Sequence, residues 1–205
     1  MYEGLANDFA YHNPFSILFF GDNHDMDRLF TQLNEDFVNT KMALAFIIFA
    51  PRIPQIYYGT EVLLNNSDNP GDHGLIRSDF PGGWENDSVN AFTGAGLKRE
   101  QKKMQEFTRK ILNYRKGSTA IHTGKTTHFA PKDGVYVIFR QNKHEKVLLI
   151  LNKNEKPYTL NLERFNEMNL IGNKFKDILT SEEIILKNDL QLKDKGVLIL
   201  SKKSN

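Results

Sequence analysis

Residues 19–28, FFGDNHDMDR, set Asp22, His24, Asp25, Asp27 and Arg28 directly behind a run of apolar and aromatic residues. Carboxylates, an imidazole and a guanidinium so close together could hold a cation, grip hydroxyl groups, or simply turn a strand into a helix. Calcium fits poorly, because an EF-hand loop needs Gly at its sixth position and Glu at its twelfth. Counting from Asp22, those positions are Asp27 and Leu33. Asp22 and His24 could begin another metal site, but nothing nearby completes a ligand set. What remains is a group of acceptor carboxylates just past a strand end, the place where parallel α/β proteins keep their active sites. Asp and Asn are also the ordinary residues of turns, so spacing alone leaves a structural loop and a functional loop equally open.

The elements around these residues follow from periodicity. PFSILFF (14–20) is a continuous apolar run and predicts a buried, parallel strand. NEDFVNTKMALAFIIFA (34–50) predicts a helix with Asn34 as N-cap, Glu35 and Asp36 in the first turn, and Phe37, Leu44 and Ile48 on one face. IPQIYYG (53–59) predicts a second strand ending at glycine. Residues 97–116 predict a helix striped by Met104, Phe107, Ile111 and Tyr114. Strand, helix, strand, helix is the order of an α/β protein with a parallel sheet. Between them, residues 60–96 are rich in Gly, Asn, Asp and Pro and longer than an ordinary connection. The apolar Leu75, Ile76, Phe80 and Trp84 look buried and predict an ordered loop over a site.

At Lys116–Gly117 the pattern changes to short strand-like runs: STAIHTGKTTHFAP, GVYVIFRQN, KVLLILNKN, YTLNL, EEIILK and GVLILSK. Their spacing and turn residues predict an antiparallel β-sandwich over 118–205, leaving 1–117 as the α/β part. His122 and His128 fall on one predicted strand and share a face, with pairing favoured over metal binding. His12, His73 and His144 are loop residues without an evident partner. A net charge of +2 implies neither nucleic acid nor membrane as a general partner. The absence of cysteine excludes disulfides and thiol chemistry. The apolar run at 42–50 is too short to span a bilayer, and the first residues lack the pattern of a signal peptide.

FFGDNHDMDR joined to IPQIYYGTE (53–61) resembles the last two barrel strands of the α-amylase superfamily of glycoside hydrolases. GDHGLIRSDFPGGW (71–84) is similar to the cyclomaltodextrinase and neopullulanase-like branch, as is the all-β tail. The resemblance covers essentially the whole chain. It implies that 1–117 are the last βα units of a (β/α)8 TIM barrel and 118–205 a C-terminal β-sandwich. By the same resemblance, Asp25 is the third catalytic carboxylate, fixing sugar hydroxyls and favouring an oxocarbenium-like ring, and His24 bonds the same ring. Hydrogen bonds that strengthen as charge develops at the anomeric carbon lower the barrier. Arg77 is expected to reach outer sugar units. Trp84 either stacks on a sugar or anchors the loop. Asn23 and Asp79 join the sugar-binding candidates, and Tyr57, Tyr58 and Glu61 shape the pocket wall.

The implied partner is an α-glucan or maltodextrin, with no cofactor and no metal; cell compartment is not indicated. Retaining members use a nucleophile and an acid about 5–5.5 Å apart. Neither a GxRxD-like segment nor a suitably placed acid Glu occurs in this chain. The expectation is therefore the C-terminal part of a larger α-glucan-cleaving enzyme, inactive alone, with exposed barrel edges that invite self-association. One departure stands out: Pro51-Arg52 replaces the family's Arg-Gly. A left-handed conformation there would disfavour Arg52 by roughly 1 kcal/mol, unless the helix ends earlier. The competing readings are a non-catalytic carbohydrate-binding module, weakened by the lack of Trp in 118–205, and a structural β domain packed under the barrel.

Overall fold

The computed structural model describes residues 1–203. In chain order it runs α1 (Tyr2–Ala6), β1 (Leu18–Phe19), α2 (Leu29–Gln32), α3 (Phe37–Phe49), β2 (Ile53–Pro54), α4 (His73–Ile76), α5 (Arg99–Gly117) and α6 (Thr119–Thr123). Then come β3 (Lys125–Lys132), β4 (Val135–Gln141), β5 (Glu145–Asn152), β6 (Tyr158–Asn161), β7 (Lys174–Asp177), β8 (Glu183–Ile185), β9 (Asp189–Leu192) and β10 (Gly196–Lys203).

β1 and β2 pair in parallel, Leu18 opposite Ile53 and Phe19 opposite Pro54, with α3 as the crossover. Both are shorter than the apolar runs that contain them. Pro14–Ser16 form a 3-10 turn capped by Asn13, and Gly59 turns the second run away at φ 86°. Each strand meets the other along one edge, so the ladder ends where the two segments diverge. Leu18 and Ile53 share an uncovered face, 50% and 49% exposed. No barrel closes among the described residues.

α3 begins at Asp36, whose carboxylate accepts from Val38 N (2.9 Å) and Asn39 N (2.8 Å). The cap is therefore Asp36 and not Asn34. Asn34 and Glu35 sit in the left-handed region at φ 54° and 55°, outside the helix. α3 stops at Phe49 with Ala50 extended, since a proline at 51 disfavours helical backbone in the residue before it. Arg52 thereby escapes left-handed strain. Its buried guanidinium binds the Asp8 carboxylate and the carbonyls of Pro51 (2.9 Å) and Gly4 (3.2 Å), tying down the first turns of the chain. Every residue from Met42 to Ala50 is buried, as expected of a helix that is apolar all round. The predicted stripe of α5 holds, with Met104, Phe107 and Ile111 buried and Tyr114 partly so.

The β region is a six-stranded antiparallel sheet, β3-β4-β5-β10-β7-β8, with β6 and β9 as a separate two-stranded ribbon. Its central strands are apolar on both faces. Tyr136, Ile138, Val147, Leu149, Leu151 and Ile199 join the core around α3. Their neighbours Val137, Phe139, Leu148, Ile150 and Leu200 join a second core with Leu160, Leu190 and Leu192 of the ribbon. Each such side chain contributes about 1.5–3 kcal/mol when fully buried. Two arginines fasten α3 from outside it. Arg140 donates to Phe49 O (3.0 Å) and Ile121 O (2.7 Å), and Arg115 to Ile48 O and Arg52 O. Burial pushes the Arg140 guanidinium down to about 10.

Two strands, β7 and β9, lie where none was expected. Conversely, the start of the first expected run is α6, capped by Ser118 Oγ on Ile121 N (3.3 Å). His122 is thus helical and does not share a strand face with His128. His128 instead pairs with the Tyr136 hydroxyl (2.8 Å), and burial lowers its imidazole below the usual range.

Candidate functional site

The loops that leave the C-terminal ends of β1 and β2 meet, and residues 22–28 are shared between two tasks. Asp22 is buried. It accepts from Leu29 N (2.9 Å) at the start of α2 and from the Thr60 hydroxyl (2.9 Å), and burial raises its carboxyl above the ordinary range. Arg28 is fully buried, its guanidinium carbon 4.2 Å from the Tyr57 ring centroid and 4.8 Å from that of Tyr58. It donates to Tyr58 O, while its Nε and the other terminal nitrogen find no partner. Glu61 faces the same interior with one oxygen unpartnered, and burial raises its carboxyl as well.

Asp27 latches the second loop to the first. Its Oδ1 accepts from Asn66 Nδ2 (2.6 Å) and Gly71 N (2.7 Å), and these bonds hold its carboxyl below the usual range. Asn66 also accepts from Arg28 N (2.9 Å) and donates its own N–H to the Thr31 hydroxyl (2.8 Å). Further on, Asp72 caps α4 through Leu75 N (2.9 Å). The latched loop thereby carries α4, and Arg77 at its end, onto the first loop.

There the expected residues come together. Arg77 donates to Asp25 Oδ1 (3.0 Å) and, through Nε, to His24 O (3.0 Å). His24 Nε2 lies 3.1 Å from Asp25 Oδ2. Asp25 is held from both oxygens yet stays 60% exposed, so each oxygen keeps a lone pair for an incoming donor. Asn23 uses its side-chain oxygen on Asp25 N (2.8 Å), fixing the turn. Asp79 and Trp84 form a pair of their own, Nε1 donating to Oδ2 at 3.0 Å, with the indole 67% exposed. Trp84 is therefore no buried anchor, and Leu75 is exposed too; Ile76 holds the loop instead. His73 was not singled out by sequence, yet its Nδ1 lies 3.1 Å from Arg77. The i, i+4 spacing of 73 and 77 on one helix was the available signal. No group of His, Asp and Glu suited to a metal ion occurs among the described residues, nor a helix long and apolar enough to cross a membrane.

Residues 126–201 match the family described as Cyclo-malto-dextrinase C-terminal domain. A cyclomaltodextrin glucanotransferase of Thermoanaerobacterium thermosulfurigenes is 27% identical over 75% of this chain and 18% of its own length. A maltogenic alpha-amylase of Bacillus acidopullulyticus is 24% identical over 98% of this chain and 30% of its own. The chain thus spans under a third of these relatives. Among solved structures, an alpha-amylase of Geobacillus thermoleovorans complexed with acarbose superposes with a TM-score of 0.75 at 22% identity, covering 98% of this chain and 42% of that one. The match to that fold runs through both the α/β and the β regions.

Proposed function

We propose that this chain, a relative of the α-amylase superfamily over that superfamily's C-terminal part, supplies the hydroxyl-gripping half of an α-glucan-cleaving site. The observation that carries this reading is the exposed Asp25 carboxylate held between His24 and Arg77 beyond the ends of two parallel strands. An anionic acceptor with two free lone pairs suits neighbouring hydroxyls of a glucose ring, and its charge favours a ring that gains positive character. Trp84, exposed and steered by Asp79, offers a face on which a sugar stacks. The acarbose bound to the Geobacillus α-amylase agrees with a maltodextrin-like ligand.

In this reading β1, α3 and β2 are the last strand–helix–strand unit of a barrel, residues 1–117 belong to that barrel, and residues 118–205 are the domain that braces it. The uncovered pair Leu18 and Ile53 and apolar clefts of about 550 and 250 Å3 beside α3 support missing neighbours. Such faces favour self-association of the isolated chain. Lacking a nucleophile and an acid, the chain alone hydrolyses nothing. Incubation of the purified chain with maltodextrin should release no reducing sugar; retaining cleavage that Asp25→Ala abolishes would contradict the assignment.

A further inference from the structure

Arg77 is pinned at both ends of its guanidinium: Nε to His24 O at 3.0 Å, and a terminal nitrogen to Asp25 Oδ1 (3.0 Å) and His73 Nδ1 (3.1 Å). A guanidinium has donors and no acceptor. The 3.1 Å contact is a hydrogen bond only when His73 Nδ1 carries no proton, that is, when the imidazole is neutral with its hydrogen on Nε2. A protonated ring would set a cation against a cation and lose the bond. We propose that His73 is a positioning residue: its Nδ1, accepting from the Arg77 guanidinium, aims Arg77 at Asp25.

The surroundings make the role specific. His73 faces Arg77 from one turn before it. From the first loop it faces Asp25 and His24, through Arg77. His24 Nε2, 3.1 Å from Asp25 Oδ2, holds the other oxygen of the same carboxylate. The latch at Asp27 stays outside this, since its bonds to Asn66 and Gly71 involve no imidazole.

His73→Asn keeps an acceptor oxygen near the Nδ1 position; His73→Ala removes the acceptor. The role rests on the reading of Asp25 as a sugar-binding carboxylate, so the test has one arm free of sugar. In NMR of the full chain at neutral pH, the Arg77 Nε–H resonance should be sharp in the wild type and in His73→Asn and weak in His73→Ala. With maltotriose as the probe, His73→Ala should bind roughly threefold to tenfold more weakly, the loss expected of one hydrogen bond. His73→Asn should bind as the wild type does. An Arg77 signal left unchanged by His73→Ala overturns the proposal. Absence of maltotriose binding beside the expected Arg77 behaviour overturns the sugar-binding reading and leaves His73 as the residue that positions Arg77.

Discussion

Asp22 with Arg28 and Asp25 with Arg77 are two carboxylate–arginine systems in one short loop, and they face opposite ways. The first is sealed in: Asp22 is 2% exposed and Arg28 0%, wrapped by Tyr57, Tyr58, Leu29 and Thr60. The second stands in the open, with side chains 60% and 48% exposed, and satisfies itself through His24 and His73. Burial makes an unpaired charge expensive and fixes geometry, whereas exposure makes an ion pair weak and leaves lone pairs for a ligand. The difference teaches that the loop folds on its buried inner groups and presents its outer pair.

That contrast can be tested by removing one member at a time. Asp22→Ala should have the largest effect on stability, on the order of 3 kcal/mol, because it leaves Leu29 N at the start of α2 and the Thr60 hydroxyl without their buried acceptor; urea unfolding followed by circular dichroism checks this. Asp36→Ala removes the cap of α3 and its contact with Lys195, which lies at 2.5 Å. About 1 kcal/mol should be lost, measured in the same way.

The pH dependence of these two losses should have opposite signs. Burial raises Asp22 above its unfolded value. Its favourable contribution is therefore full below the unfolded carboxylate range and declines as pH rises through the raised value. The cost of Asp22→Asn, read from denaturation at several pH values, should then shrink as pH rises. The Lys195 contact lowers Asp36. Its contribution is present above the unfolded value and is lost as pH falls through the folded one, so the cost of Asp36→Ala should shrink on acidification. Asp25→Ala should come last, changing stability by no more than about 0.5 kcal/mol, as for an exposed pair.

Much of this was legible in the sequence, for definite reasons. The stripe on α5 and the runs VYVIF and VLLIL could be read because burial follows sequence wherever an element has apolar neighbours on its inner faces. Motif resemblance named His24, Asp25 and Arg77 but placed Arg77 at outer sugar units; its contact with Asp25, 52 positions away, is one no spacing rule would have given. What escaped is local and polar. β7 (KFKD) and β9 (DLQL) alternate charged and apolar residues over only four positions, too short for a period to show. The Asn34 cap failed because residues 34 and 35 adopt left-handed backbone, a choice made by the turn from α2. His73 lay hidden because its partner is defined by a one-turn helix that composition does not announce. Trp84 looked buried because its type is apolar, yet its indole N–H is spoken for by an exposed Asp79.

The central claim is that Asp25 grips sugar hydroxyls. It is tested most directly by titrating maltotriose into the isotope-labelled chain, wild type beside Asp25→Ala, and following backbone amide shifts. The account predicts saturable shifts confined to residues 22–28 and 72–84 in the wild type and their loss in a folded Asp25→Ala variant. Shifts of equal size in both proteins, or none in the wild type, would contradict it.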